Sequence, residues 1–154
     1  MIRELTLRAY AEYADIMEPA SWRGLSQALR DALASDAPVE RIVAEEGGRI
    51  VGSAMLYAAE TDAYGDLVAR TAAPEIRLVA VAPEARGCGI AKALVDECIR
   101  RARARGATEV GLHTSRSMRA AMAMYANLGF TRAPERDFQP PGAELVEGYR
   151  LRLD

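Results

Sequence analysis

The chain has 154 residues, of which 50% are hydrophobic and 27% are charged, and its formal net charge is -2. This length is typical of one domain with a sizeable core, and we expect a single domain over residues 1–154. The charge gives no overall attraction to nucleic acid or to an anionic membrane, so we predict neither as a partner. No apolar run approaches the roughly 20 residues of a membrane-spanning helix, and the start lacks an apolar signal core. Because two cysteines are too few for a disulfide scaffold, these features favour a cytoplasmic protein.

The first part of the chain predicts one strand followed by two helices. Residues 2–8 (IRELTLR) alternate like a strand with one buried face. Residues 10–18 and 21–34 have the spacing of two helices, and Ser21 is a plausible N-cap for the second.

A β-hairpin is predicted next, followed by a long polar segment. Residues 40–46 and 49–58 flank Gly47-Gly48, and two apolar segments joined by Gly-Gly indicate a hairpin. Residues 60–74 are polar and weakly patterned. A loop of this length is often functional, and a surface insertion is the equal alternative.

The second half of the chain alternates strands with helices. We predict a strand over 75–81, a helix over 88–104, a strand over 108–114, a helix over 117–127, a strand opening at Gly129-Phe130 and a final strand over 144–153. The complete order is β-α-α-β-β-β-α-β-α-β-β. Hairpins mixed with crossover helices imply an α/β fold, with a mixed central sheet of about seven strands and helices on both faces.

A glycine-containing loop connects the strand 75–81 to the helix that follows it. The loop reads R-G-C-G-I-A from Arg86. A helix N-terminus carries roughly half a positive charge and several unpaired N–H donors. Gly89 has no Cβ to keep a phosphate from the backbone, and the small Ala91 has a similar effect. The loop therefore indicates an anion site, although a tight loop that only caps a helix would look similar. It contains neither a P-loop string nor a complete G-x-G-x-x-G fingerprint.

Two motifs of the chain occur together in one known family. Arg86, Gly89 and Ala91 fit the pattern Q/R-x-x-G-x-G/A, after a strand that leads into V-A-P-E. The segment 125–130 (YANLGF) fits the pattern Y-x-x-x-G-F. With these motifs and this order of elements, the chain resembles the GNAT superfamily of acyl-CoA-dependent N-acyltransferases over essentially its whole length.

The resemblance implies acetyl-CoA (coenzyme A), or a close relative, as the cofactor. In this family the glycine-loop amides hold the pyrophosphate, and the corresponding residues here are Arg86, Gly87, Cys88, Gly89, Ile90 and Ala91. The pantetheine arm pairs with the preceding strand, which maps to Val79 and Val81. The strands 75–81 and 108–114 are expected to splay apart and admit it. Many members carry an Asn near the start of the next helix, where Ser117 could donate a similar hydrogen bond.

The resemblance also implies direct attack of an amine on the thioester. A lysine-like amine has a pKa of about 10.4 and must lose a proton first. Glu75 is the candidate base, because some members carry a catalytic glutamate at this position of the strand. An exposed carboxylate at a strand entrance is the alternative. His113, the only histidine, could serve as the base instead or be structural.

Tyr125 matches the family tyrosine and is the candidate acid for the thiolate leaving group. It also lies on an apolar helical stripe, which is usually part of a core. The developing oxyanion needs a donor, for which a backbone N–H between Val79 and Val81 is plausible. Cys88 is interpreted as part of the loop rather than as a nucleophile, and no residue cluster has metal-site spacing.

We expect an N-acetyltransferase that acts on a primary amine of a small molecule. A peptide or protein N-acetyltransferase and a catalytically silent acyl-CoA-binding regulatory module stay open as alternatives. The acceptor would lie between residues 10–34 and the loops 60–74 and 133–143. Acidic residues there could attract a cationic amine, or form a solvated surface: Glu12, Asp15, Glu18, Asp62 and Asp66. Because the family is often dimeric, a homodimer is also open.

Overall fold

The computed structural model describes residues 1–35, 39–59 and 73–154. The strands are β1 (Val39–Glu46), β2 (Arg49–Tyr57), β3 (Glu75–Val81), β4 (Glu109–Thr114), β5 (Thr131–Arg132) and β6 (Glu147–Arg152). The α-helices are α1 (Ile2–Tyr10), α2 (Tyr13–Ile16), α3 (Pro19–Ala34), α4 (Ile90–Ala104) and α5 (Arg119–Asn127). Short 3-10 turns lie at Pro83–Ala85 and Pro134–Arg136.

The strands form one mixed sheet in the order β1-β2-β3-β4-β6-β5. The β3–β4 pair is parallel, and the other neighbouring pairs are antiparallel. The predicted α/β class is confirmed. The sheet has six strands in the described part of the chain, rather than about seven, because the first predicted strand is a helix.

That N-terminal helix, α1, corrects the strand predicted over residues 2–8. Leu5 and Ala9 are buried four residues apart, which is the spacing of one helix face. Thr6 is buried beside them, and its hydroxyl donates to the Ile2 carbonyl one turn earlier at 2.8 Å. Within residues 2–8, Leu5 and Leu7 fit the period of a strand, whereas Ile2 and Leu5 fit the period of a helix. Packing against the sheet selects the helix.

Two other predicted boundaries differ from the structure. The helix expected over 10–18 is divided, because α1 ends at Tyr10 and the short α2 follows. Ser21 is not an N-cap, since α3 already begins at Pro19. The buried Ser21 hydroxyl instead accepts a hydrogen bond from the Glu144 N–H at 2.8 Å. The hairpin around Gly47-Gly48 is confirmed, and residues 60–72 of the predicted loop lie outside the described residues.

Alternate residues of β2 face two separate cores. Ala54 and Leu56 belong to the cluster that contains the buried side chains of α4. Met55 and Tyr57 belong to the cluster that contains Leu29 of α3. Because successive strand side chains point to opposite faces, helices cover both faces of the sheet, as predicted. Within the described ranges, no helix is both long enough and apolar enough to cross a membrane.

Candidate functional site

Strands β3 and β4 are paired only at one end. The register contains Glu75 opposite Gly111 and Ile76 opposite Leu112, and no later pair. β3 continues to Val81, so within residues 1–35, 39–59 and 73–154 most of its edge towards β4 has no strand partner. The predicted separation of these two strands is confirmed, and it opens a wedge in the middle of the sheet.

A β-bulge interrupts β3 just beyond the paired end. Ser53 of β2 faces Ala80, whereas Met55 faces Arg77, so β3 has one residue more than β2 over this interval. Leu78 lies in the bulge with φ 53°, a value that no other non-glycine residue among those described approaches. A residue held in this conformation costs about 1–3 kcal/mol. Since a bulge leaves backbone groups out of the ladder, this region can offer an N–H to a ligand in the wedge.

A cavity of about 500 Å³ fills the wedge. This volume lies within the roughly 300–1,000 Å³ of small-molecule sites. Its walls come from β3, the loop before α4, the first turn of α4, one face of α5, and residues of α1 and α2. The predicted site residues that line it are Val79, Val81, Arg86, Gly87, Gly89, Ile90, Ala91 and Tyr125. Glu75, Cys88 and Ser117 are not among the lining residues.

The N-terminus of α4 opens onto this cavity without a side-chain cap. Gly89 is the N-cap residue with φ 79°, and Gly87 has φ 83°. Both lie in the left-handed region that glycine adopts at no steric cost. The first backbone bond of the helix runs from the Ala93 N–H to the Gly89 carbonyl, so earlier amides have no partner inside the helix. These amides and the positive end of the helix dipole fit a diphosphate group.

Gly52 lets the first turn of α4 pack closely on the sheet. A Cβ at Gly52 would lie 2.9 Å from Ile90 Cγ2 and 3.0 Å from Leu94 Cδ1. Both distances are shorter than real Cβ contacts allow without a shift of a neighbour. The absence of a side chain at Gly52 therefore helps to set the position of the N-terminal, anion-binding end of α4.

The Arg86 side chain is directed to α1 and the residues that follow it. Its guanidinium donates to Glu12 at 2.6 Å and to the Ala9 carbonyl at 2.9 Å. A second link joins Arg8 to Glu84 at 2.8 Å. Arg86 thus lines the cavity while its charge is paired with a carboxylate, and it ties the glycine loop to the N-terminal wall of the site.

Tyr125 projects from α5 into the cavity and is only 7% exposed. Its ring packs edge-on against Phe130, the last residue of its sequence motif, at 5.8 Å between centroids. Burial raises the pKa of Tyr125 well above the usual value, and the neighbouring Tyr10 and Tyr13 raise it further. The hydroxyl is therefore protonated at every ordinary pH and can act as a hydrogen-bond donor.

Glu75 and His113 lie together at the closed end of the wedge. Glu75 is 4% exposed, so the alternative of an exposed carboxylate is wrong. His113 Nδ1 lies 2.6 Å from Glu75 Oε1, and His113 Nε2 lies 2.8 Å from the Arg136 carbonyl oxygen. His113 lines the cavity, whereas Glu75 lies behind that surface.

Two predicted cofactor residues lie outside the cavity lining. The Ser117 hydroxyl donates to Glu144 Oε2 at 3.0 Å, beside a bond from Ser115 to Oε1 of the same carboxylate at 2.8 Å. Cys88 is exposed in the glycine loop. Any part that Cys88 has in anion binding would come from its backbone N–H.

The sequence did not indicate several residues of this site. Tyr10 and Tyr13 line the cavity with their rings 5.8 Å apart, and the Tyr10 hydroxyl donates to the Val79 carbonyl at 3.3 Å. Their spacing of three residues was the available signal within the helix predicted over 10–18, but nothing local shows that this part of the chain packs against β3. Thr114 also lines the cavity, and its buried hydroxyl has no hydrogen-bond partner among the described residues. No sequence pattern marks it.

Of the acidic residues expected near an acceptor, Glu12 lines the cavity but is paired with Arg86. Asp15 and Glu18 are not among the cavity residues. Asp62 and Asp66 lie outside the described residues. The predicted acidic attraction of a cationic amine therefore has no support from the described part of the cavity wall.

Comparisons with a family model and with known proteins indicate the same family. The family model "Acetyltransferase (GNAT) family" matches residues 2–130. A mycothiol acetyltransferase of Thermobispora bispora is 32% identical over 130 residues, which is 83% of this chain and 42% of that protein. This chain thus spans less than half the length of that relative.

Solved structures share the fold at low sequence identity. The ribosomal-protein-S18-alanine N-acetyltransferase of Escherichia coli superposes with a TM-score of 0.63 and 19% identity, covering 99% of this chain and 85% of that one. A GNAT family acetyltransferase from Elizabethkingia anophelis, solved with acetyl-CoA bound, has a TM-score of 0.61 and 18% identity, covering 99% and 91%.

Proposed function

This chain belongs to the GNAT acetyltransferase family, and on that premise we propose that it transfers an acetyl group from acetyl-CoA to a primary amine of a small molecule. Acetyl-CoA is the co-substrate of this family. One observation carries the proposal: a single cavity joins the uncapped N-terminus of α4, the open edge of β3 and the Tyr125 hydroxyl. The likeness to a mycothiol acetyltransferase supports an acceptor of small size.

The donor half of the site has two binding elements. Backbone amides from Gly87 to Ala91 would hold the pyrophosphate, helped by the dipole of α4. The edge of β3 at Val79 and Val81, which has no strand partner among the described residues, would hydrogen-bond the pantetheine arm as an added strand does. When bound there, acetyl-CoA supplies a thioester carbonyl as the electrophile.

The chain's own groups would manage charge and protons around that carbonyl. Glu75, which lies behind the cavity surface, would take through a water the proton that the acceptor ammonium must lose, because such amines are mostly charged at neutral pH. A backbone N–H of the bulged region before Val81 would stabilise the negative charge that builds on the carbonyl oxygen. Tyr125 would protonate the departing thiolate, since its raised pKa keeps its proton in place.

The proposal is tested by measuring free thiol released from acetyl-CoA with a panel of small amines, amino acids and peptides. We expect turnover with at least one small amine. Preference for a peptide N-terminus would favour a protein acceptor instead. Thermal stabilisation by acetyl-CoA without turnover on any acceptor would indicate a silent binding module and contradict the proposal.

Replacement of Tyr125 by Phe tests the proton donor in the same assay. We expect Tyr125→Phe to lower kcat about 10- to 100-fold, the usual range for an acid–base group. Tyr149→Phe is the matched control, because the Tyr149 hydroxyl donates to Glu147 and the residue does not line the cavity. An unchanged kcat for a folded Tyr125→Phe protein would remove Tyr125 from the mechanism.

A further inference from the structure

The Val79 carbonyl points away from β2 and into the wedge. The Ala82 N–H, just beyond the end of β3, donates to the Val51 carbonyl of β2 at 2.8 Å. Ala80, two residues earlier and opposite Ser53, has the same orientation, because hydrogen-bonded residues alternate along an antiparallel pair. The carbonyl and the N–H of one trans peptide unit point in opposite directions. The Val79 carbonyl therefore faces the edge of β3 towards β4, where the wedge lies.

The Tyr10 side chain reaches this carbonyl from α1. Its hydroxyl donates to the Val79 carbonyl at 3.3 Å. Its ring packs against the hydrophobic cluster that contains Leu29 of α3 and Leu78, and it lies 5.8 Å from the Tyr13 ring between centroids. Tyr10 thus covers the β-bulge at Leu78 and Val79, and both its ring and its hydroxyl hold it there.

The proposed reaction takes place beside the same two residues. The oxyanion donor is a backbone N–H of the bulged region before Val81, and Tyr125 protonates the departing thiolate. Tyr10 and Tyr125 both line the cavity. They lie close together, since burial and then the neighbouring Tyr10 raise the pKa of Tyr125. A thioester held between the bulge and Tyr125 would therefore have the Tyr10 ring as a neighbour.

We propose that Tyr10 is a specificity-determining residue that restricts the acyl donor to acetyl-CoA, an inference that rests on the donor half of the proposed function. The planar thioester group directs its oxygen to the bulge and its sulfur to Tyr125. Its third substituent, the acyl chain, extends towards the Tyr10 ring. An acetyl methyl stops in front of the ring, whereas a butanoyl chain requires the ring to move. Such a movement breaks the bond to the Val79 carbonyl and the packing on Leu78.

Substitutions of Tyr10 separate the ring from its hydroxyl. Tyr10→Ala removes the ring and leaves room for a longer acyl chain. Tyr10→Phe keeps the ring and removes the hydrogen bond to Val79. Tyr13→Ala is the matched control, because Tyr13 is an equally large residue of the same cavity wall, next to Tyr10. Of this pair, Tyr10 is the member that reaches the bulge.

Calorimetry without an acceptor compares the binding of acetyl-CoA with that of butanoyl-CoA. One extra methylene in a pocket is worth about 10- to 200-fold in discrimination, so we expect the wild type to bind acetyl-CoA at least about tenfold more tightly. Tyr10→Ala should bring the two dissociation constants within about threefold of each other, whereas Tyr10→Phe and Tyr13→Ala should keep the wild-type ratio within about threefold. The ratio of kcat/KM for the two thioesters should change in the same direction.

Circular dichroism and thermal melting establish that each variant is folded. If Tyr10→Ala unfolds, Tyr10→Leu takes its place, because leucine keeps an apolar side chain against the cluster and still shortens the wall. Equal binding of the two thioesters by the wild type would overturn the inference. An equal loss of preference in Tyr10→Ala and Tyr13→Ala would also overturn it, since any enlargement of the wall would then have the same effect.

These outcomes are distinct from failure of the proposed function. If acetyl-CoA binds with the expected preference but no amine releases thiol, the transfer reaction fails and the role of Tyr10 at the donor site is supported. If acetyl-CoA does not bind, the proposed function and the inference fail together. If the wild type turns over and uses butanoyl-CoA as well as acetyl-CoA, the assignment of Tyr10 alone is refuted.

Discussion

Gly111→Ala tests whether the placement of the Glu75 carboxylate matters, without removing any functional group. Gly111 lies opposite Glu75 in the two-residue parallel pairing. Its backbone is not in the left-handed region, so alanine meets no conformational strain there. The added Cβ would stand 2.7 Å from Glu75 Oε2 and 3.3 Å from Arg136 Nη1.

The size of the effect follows from these distances. Ordinary van der Waals contact begins at 3.4 Å, so the carboxylate must move by about 0.7 Å. That shift is enough to lengthen or misalign its 2.6 Å contact with His113. Misplacement by about 1 Å can cost 100-fold in rate, so we expect kcat to fall about 10- to 100-fold. Overpacking should also lower the free energy of unfolding by about 1–3 kcal/mol.

The assay is steady-state thiol release, with kcat and the KM for acetyl-CoA measured separately, beside a urea unfolding curve. Gly52→Ala is the matched control, because its Cβ would be similarly crowded by Ile90 and Leu94 at the other end of the site. We expect Gly52→Ala to raise the KM for acetyl-CoA while kcat stays within about threefold. If Gly111→Ala keeps the wild-type kcat, the position of Glu75 does not govern the chemical step.

Three further outcomes are expected. Thr114→Val should raise the free energy of unfolding by about 1 kcal/mol in urea, because it removes a buried hydroxyl without a partner among the described residues, whereas Thr6→Val removes a satisfied one and should lower it. Gly89→Ala should weaken acetyl-CoA binding in calorimetry at least about fivefold, because a Cβ is strained at φ 79°, and Gly24→Ala, in open space within α3, should leave binding unchanged. Since the pKa of Tyr125 is raised by burial, this group keeps its proton up to and beyond pH of about 10. The kcat profile should accordingly show no descending limb below that pH, and a fall near pH 8 would contradict the role of Tyr125 as donor.

Local patterns were sufficient where one segment carries the whole signal. The hairpin at Gly47-Gly48, the strand 75–81 with its glycine loop, and Tyr125 five residues before Phe130 all depend on neighbours in sequence. The N-terminal helix could not be separated from a strand, because Leu5 and Ala9 satisfy the helical period while Leu5 and Leu7 satisfy the strand period. Only packing against the sheet decides between the two.

The contact between Glu75 and His113 could not be predicted, because its partners are far apart in the chain. Glu75 and His113 are 38 residues apart, and His113 is 23 residues from the Arg136 carbonyl. No sequence pattern predicts the β-bulge in β3 either. Leucine has no preference for positive φ, so the conformation of Leu78 is imposed by the strands around it.

Because β3 and β4 pair at one end only, the sheet consists of two parts, β1-β2-β3 and β4-β6-β5, that are joined at that end. Among the residues that the structure describes, these two parts share backbone pairing at Glu75–Gly111 and Ile76–Leu112 alone, so a movement that separates them would pivot about that end. Atoms close to a pivot move least. Glu75 and His113 would therefore keep their spacing while the far end of the wedge widened or narrowed around substrates of different size, and variation in the acceptor could leave the proton-accepting geometry unchanged.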